Sequence, residues 1–235
     1  MIRFYSPDIE SSLLLPEGES GHCCRVLRKR IGDEIEVTDG KGSIFRCRIS
    51  DDRGKCVKLE IFEKKEELTP RPYRVVLAVA PTKSSDRMEW LAEKAVELGV
   101  DELVLVRCER SERKVLKPER LEKIMIAAMK QSLGTHLPIV GEMITFKQFI
   151  KSFSSDFQKF FGYCSDEYPR KDFVKEYKAG NNVVVMIGPE GDFTPEEAND
   201  AVANGYIPVT LGDRRLRTET AALFSAAAIN VINQL

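Results

Sequence analysis

The chain is poor in the residues on which several enzyme classes depend. It has two histidines, His22 and His136, among 235 residues, which argues against a hydrolase built on a histidine base. Its six cysteines (Cys23, Cys24, Cys47, Cys56, Cys108 and Cys164) form no C-x-x-C pair. With so few histidines to complete a ligand set, no metal site is expected. Scattered thiols acting as small hydrophobes fit an intracellular chain. No apolar run approaches the ~20 residues of a membrane helix, and MIRFYSPDIE puts acids where a signal peptide has its apolar stretch. A soluble, cytoplasmic protein with no membrane partner is expected. Neither sign of charge is in excess: 36 Lys+Arg face 37 Asp+Glu, a net charge of −1. That excludes a globally basic coat for nucleic acid.

What is present supports a real core. Apolar residues make up 43% and charged residues 31%, a balance that excludes long disorder. The length allows one large domain or two small ones. The first 70 residues read as β-rich, with strands at 34–38, 43–49 and 56–62. The turn Asp39-Gly40-Lys41-Gly42 marks a hairpin between the first two. The charged stretch EKKEELTPRP, with Pro70 and Pro72, predicts a boundary between domains at 1–70 and 73–235. Beyond it, strands at 75–80, 103–108, 159–164, 183–187 and 208–211 alternate with helices at 86–98, 118–133, 194–204 and 218–232. Thr194, Pro195 and Glu197 form a helix-start signature, and Gly99 suits a helix end. Buried strands alternating with helices imply an α/β layer with a mostly parallel sheet.

Two segments carry the chemistry. In VVVMIGPEGDF (183–193) an apolar strand runs into Gly188-Pro189-Glu190-Gly191 and then a capped helix. Glycines at a strand's carboxyl end let backbone approach a ligand closely. The loop is neither a Gly-x-Gly-x-x-Gly turn nor a Walker loop. In VTLGDRRLRTETAALFSAAA (209–228) a strand ends at Leu211-Gly212, an arginine-rich loop follows, and Thr218 stands as a candidate N-cap with Glu219 at the helix's positive end. The alanines beyond it permit close packing, in a core or at an interface. Two such strand ends in one sheet predict a binding crevice.

Together these segments resemble the SPOUT class of methyltransferases, and within it the RsmE family, which methylates N3 of uridine 1498 in 16S ribosomal RNA. HCCRVLRKRIGDEIEVTDGKG (22–42) is similar to the family's H-x-x-x-V-L-R…G-D-x-I-x-V-x-D-G-x-G block. KSSDRMEWLAEKAVELGVDELVLVRCERS (83–111) resembles its D-R…K-x-x-E-L-G-V block, and IAAMKQS (126–132) its A-x-x-Q segment. GPEGDF and LGDRRLRTETAA are similar to its GPEGGF and LGxRILRxETA signatures. The five stand in order across nearly the whole chain.

The resemblance implies an RNA-binding, PUA-like β-barrel over 1–70. It implies a SPOUT α/β domain over 73–235 whose C-terminal part is threaded into a trefoil knot. S-adenosylmethionine is then the cofactor, held by Gly188, Pro189, Glu190 and Gly191 in one loop. Leu211, Gly212, Leu216, Arg217, Glu219, Thr220 and Ala221 hold it from the other. A homodimer with the terminal helix at its interface is implied, and a substrate of 16S ribosomal RNA or the assembled small subunit. Three positions depart from the family's pattern: Asp192 replaces a second glycine, Arg215 an aliphatic residue, and Gly134 falls near its usual arginine.

Methylating N3 of a uridine requires its imide proton to leave, because neutral N3 has no free lone pair. A cation near O2 or O4 would stabilise the resulting charge. Arg217 is the first candidate for that role, and Glu219 a weaker one for the base. Residues 1–70 carry 13 basic and 14 acidic side chains, and the remainder 23 of each, so RNA contacts must come from local patches. The candidates are Arg25, Arg28, Lys29 and Arg30, then Arg110 and Arg113 within a run from Arg107 through Lys114 and Lys117 to Arg120. His22 reads as a structural residue at a short helix, and Trp90 as core. Competing readings are a SPOUT ribose 2′-O-methyltransferase, a non-catalytic RNA-binding assembly factor and an unrelated nucleotide hydrolase. The H-x-x-x-V-L-R block and the TETA signature weigh against the first, the intact loops against the second, and the missing Walker lysine and scarce histidine against the third.

Overall fold

Burial that alternates residue by residue along 43–51 is the mark of a sheet with one wet face. The computed structural model describes residues 2–66, 71–165 and 167–235; residues 67–70 of the predicted boundary lie outside them. In chain order the N-terminal elements are β1 (Arg3–Tyr5), α1 (Ile9–Ser12), α2 (Glu17–Gly21), a π-helical turn (His22–Val26), β2 (Glu34–Thr38), β3 (Ser43–Asp51) and β4 (Lys58–Glu66). The predicted hairpin joins β2 to β3, and β4 extends the antiparallel meander. β1 pairs parallel with β2. Leu14 bridges to Lys58 on β4, and the Ser6 hydroxyl, one residue past β1, donates to the Leu14 carbonyl at 2.9 Å. These contacts curl the sheet toward closure around Phe4, Leu15, Val37, Phe45, Cys47 and Ile49. His22 sits in the π-helical turn, edge-on to Phe4 with ring centroids 6.2 Å apart.

The chain continues with β5 (Val75–Val79), α3 (Ser85–Glu97), β6 (Glu102–Arg107), α4 (Pro118–Gln131), β7 (Ile139–Val140), β8 (Ile144–Thr145) and α5 (Phe146–Phe149). Then follow β9 (Gln158–Gly162), β10 (Lys171–Asp172), α6 (Phe173–Glu176), β11 (Val183–Ile187), α7 (Pro195–Ala203), β12 (Ile207–Thr210) and α8 (Thr218–Ile232). The sheet order is β10-β12-β9-β11-β5-β6-β7, with β8 beside β6, and each pairing is parallel. Every residue of β5 and β11 is buried, as a strand covered on both faces requires. Val76, Ala78, Val184 and Met186 pack with Phe146, Phe149, Ala198 and Ala201 of α5 and α7. α3 and α8 pack on each other, and α8 lies on β5 and β11. The Thr194 capping box opens α7 as the sequence indicates.

Two features differ from the sequence reading. The compact units are Met1–Pro70 with Ile126–Leu137, and Arg71–Met125 with Pro138–Leu235. The last turns of α4 therefore belong with the N-terminal strands. Within that unit the buried Arg3 guanidinium donates to the carbonyls of Leu133 and Gly134 just past α4, and Lys130 pairs with Glu19 at 2.5 Å. Trp90, expected in the core, is 42% exposed. Met88, Leu91, Ala92, Ala95 and Val96 take the buried face of α3, which leaves position 90 on the rim. No helix among the described residues is long and apolar enough to cross a membrane.

Candidate functional site

The carboxyl ends of β9, β11 and β12 give way to loops that enclose a cleft of about 820 Å³ within the second unit. Crevices at such strand ends are where parallel sheets bind ligands. The first wall is the loop after β11. Gly188 is closely covered: a Cβ there would lie 3.0 Å from the ring of Phe193, tighter than an ordinary contact, so the ring would have to shift. Phe193 is in turn held edge-on to Phe161, with centroids 5.8 Å apart. The loop then turns tightly, the Asp192 N–H donating to the Pro189 carbonyl at 2.9 Å.

The second wall is the loop after β12. Gly212 has φ 116°, a conformation closed to other residues at ordinary cost, and the Thr210 hydroxyl donates to its carbonyl at 3.0 Å. The two loops are joined directly. The Thr218 hydroxyl donates to the Gly188 carbonyl at 3.1 Å, and the Arg215 guanidinium donates to the Glu190 carbonyl at 3.4 Å. Thr218 is therefore no N-cap: Arg217 holds that position, without a side-chain cap, and Thr218 is the first helical residue. Its hydroxyl is drawn instead to the crossing loop.

The predicted cofactor residues converge here. Gly188, Pro189 and Glu190 line the cleft from one side, and Leu211, Gly212, Leu216, Arg217, Glu219 and Ala221 from the other. Two do not border it. Gly191 turns its carbonyl to Arg110 at 2.8 Å, and Thr220 is exposed on the outer side of α8. Glu219, in the first turn of α8, is 7% exposed. Its Oε1 lies 3.6 Å from the Arg87 Nε, while its Oε2 is buried without a partner. A buried acceptor left unmade is costly, so this oxygen is suited to an N–H or cationic donor on a ligand. The helix's positive end stabilises the carboxylate's charge.

Arg87, Tyr163, Cys164, Arg170 and Asp192 also line the cleft, and the sequence reading assigned none of them to it. The Asp-Arg step opening the 86–98 helix was the available signal for Arg87. β9 also ends in a glycine, Gly162, which lines the cleft, and that strand end was the available signal for Tyr163 and Cys164. The Cys164 thiol is pushed above its ordinary range by burial and then by the Asp192 carboxylate, with Arg215 and Arg170 opposing.

The basic candidates divide. Arg25, Arg28 and Arg30 are exposed and Lys29 half-buried in the N-terminal unit, where Arg28 has φ 56°. Arg110 donates to the carbonyls of Gly191 and Phe193 at 2.8 and 3.2 Å. Arg113 donates to the carbonyls of Thr82 and Lys83. Both of these spend their hydrogen bonds on loop backbone. The walls thus combine apolar Ile187, Leu211, Leu216 and Ala221 with close-lying backbone and one unpartnered carboxylate oxygen. That combination fits a flat heterocycle carrying N–H or cationic groups.

Comparison with known proteins finds the model of the RNA methyltransferase domain matching residues 69–230, and that of the RNA methyltransferase PUA domain matching residues 15–61. The chain is 31% identical to the ribosomal RNA small subunit methyltransferase E of Synechocystis, across 95% of this chain and 74% of that protein. Its structure superposes on that of a probable rRNA-methyltransferase from Porphyromonas gingivalis with a TM-score of 0.94 and 41% identity, covering 100% and 99% of the two chains. It superposes on ribosomal RNA small subunit methyltransferase E from Neisseria gonorrhoeae, bound to S-adenosyl methionine, with a TM-score of 0.84 and 30% identity over 98% and 97%.

Proposed function

The chain belongs to the RNA methyltransferase family of the ribosomal RNA small subunit methyltransferases E, and from that premise we propose the reaction its own residues serve. It is an S-adenosylmethionine-dependent methyltransferase acting on ribosomal RNA of the small subunit, and its target atom is N3 of the uridine at position 1498 of 16S RNA. One observation carries the reading: the loops after β11 and β12, joined by Thr218 and Gly188, present backbone, apolar side chains and an unpartnered buried carboxylate oxygen to a single cleft.

When bound, S-adenosylmethionine supplies a methyl group made electrophilic by its sulfonium. Gly188, Pro189, Leu211, Gly212, Leu216 and Ala221 would hold it by shape and backbone, and Glu219 would offer the free acceptor. The chain's part in the transfer is alignment, the dominant contribution in an in-line displacement. The remaining need is for charge control at the base. Arg217, exposed beside the cleft at the start of α8, is the first candidate to stabilise the charge left on O2 or O4 when the N3 proton departs. Glu219 is the weaker candidate to receive that proton, since Arg87 and the helix end already engage it.

The exposed segment 25–30 supplies cations for RNA phosphates. A flipped-out or unpaired uridine is required, because pairing hides N3. The trefoil threading is supported by the path of the chain: β12 lies beyond β9 from β11, and the return to α8 brings Thr218 back onto Gly188. A homodimer through α8 is supported by Phe224 and Val231, exposed on that helix. The place of action is the cytoplasm, where small subunits are assembled.

The test incubates the protein with labelled S-adenosylmethionine and small subunits, or 16S RNA, from a strain lacking the enzyme, followed by nucleoside mass spectrometry. Label in 3-methyluridine is expected. Label on a ribose would overturn the N3 assignment in favour of a 2′-O-methyltransferase. Failure to bind the cofactor would leave an assembly factor.

A further inference from the structure

Asp192 holds a backbone conformation that its side chain makes unfavourable. Its φ is 60°, a left-handed conformation that glycine adopts freely and an L-residue adopts at a cost. The carboxylate offsets that cost by what it touches. Oδ2 accepts from the Cys164 N–H at 2.9 Å, across 28 residues of sequence, and Oδ1 accepts from the Phe193 N–H at 2.9 Å. One ionised side chain thus binds the segment leaving β9 to the loop leaving β11. Hydrogen bonds to a charged acceptor are the stronger kind. Asp192 and Cys164 both line the cleft. The same loop is held from its far side by Arg110 and toward α8 by Arg215.

We propose that Asp192 is a positioning residue, a tether between the loops after β9 and β11 that sets the width of the cofactor cleft before the ligand arrives. The proposal rests on the reading of this cleft as the S-adenosylmethionine site. Its physical content is preorganisation: a loop already ordered in the free protein does not subtract its ordering entropy from the binding free energy. Glycine at this position relaxes the backbone but frees the two loops from each other. Asparagine tolerates the left-handed conformation and keeps one acceptor oxygen without the charge.

The experiment titrates S-adenosylmethionine calorimetrically into the wild-type protein, Asp192→Gly and Asp192→Asn, and measures amide exchange at Cys164 in all three without ligand. Asp192→Gly is expected to bind about 10-fold more weakly, the loss of a charge-assisted hydrogen bond, with Asp192→Asn between it and wild type. Exchange at the Cys164 amide rises in the same order. In turnover the KM for the cofactor rises by a larger factor than kcat falls, a split that general loss of folded protein does not produce. Unchanged affinity in Asp192→Gly, or unchanged exchange at Cys164, overturns the tether. If Asp192→Gly does not fold, Asp192→Asn decides by the same two readouts. A wild-type protein that does not bind S-adenosylmethionine overturns the cofactor reading instead, and the exchange measurement still reports whether the tether exists.

Discussion

The Arg87 guanidinium on α3 stands 3.6 Å from the Glu219 carboxylate on α8, a pair 132 positions apart whose two residues both line the cleft. Arg87 is 38% exposed and Glu219 is 9% exposed in their side chains, so water screens one partner and not the other. Arg87→Ala leaves the carboxylate buried without its counter-charge. Affinity for S-adenosylmethionine is expected to fall about 5- to 10-fold, with a loss of stability of about 1 kcal/mol, the scale of a partly screened pair. Calorimetric titration and chemical denaturation measure the two, and an unchanged dissociation constant would place Arg87 outside the binding site.

Arg217 faces a sharper test. If its guanidinium stabilises charge on the uracil oxygens, Arg217→Ala should lower single-turnover methyl transfer about 100-fold, the usual loss on removing one such donor. Cofactor affinity should change much less. Unaltered turnover would remove the residue from the mechanism.

In the N-terminal unit, Arg3 donates to the carbonyls of Leu133 and Gly134 and lies 3.5 Å from Glu36. Its side chain is 8% exposed. Arg3→Ala leaves two acceptors and the half-buried Glu36 carboxylate without this partner, and should destabilise the unit by about 2 kcal/mol. A fragment ending at residue 70 lacks 126–137 altogether. It is expected to show weaker, less cooperative unfolding than the same unit in the full chain, by circular dichroism during urea titration. Equal stability of the fragment would show that the α4 end contributes nothing.

The thiols of Cys23 and Cys47, both fully buried, are pushed up to about 12 from 9.0, in each case chiefly by burial. The folded state therefore holds these protons more tightly than the unfolded chain. Their contribution to stability is complete below pH 9 and is lost as pH rises from 9 toward 12, at no more than about 1.4 kcal/mol per pH unit for each thiol. Cys47→Val removes one such group, and its stability should decline less steeply over that interval than the wild type's. Identical slopes would count against burial as the source.

Much of the framework was legible in local pattern. The 34–38 and 183–187 strands, the 218–232 helix and the Thr194 capping box stand where periodicity and end signals put them. These features depend on a residue and its near neighbours. The two glycine-bearing strand ends were legible for the same reason: Gly188 and Gly212 answer to a ring five residues on and to a backbone angle.

What the tertiary structure decided lies at long range. That Thr218 bonds Gly188 instead of capping its own helix depends on the chain returning across the sheet. That Trp90 is exposed depends on which face of α3 meets α8. Arg87 and Cys164 enter the cleft, Arg110 clamps a loop, and α4 ends among the N-terminal strands, each through partners far off in sequence. Hydrophobic period and turn chemistry specify elements, because their energies are local. A site is a meeting of element ends, and its membership follows from strand order and crossing, which no short stretch of sequence encodes.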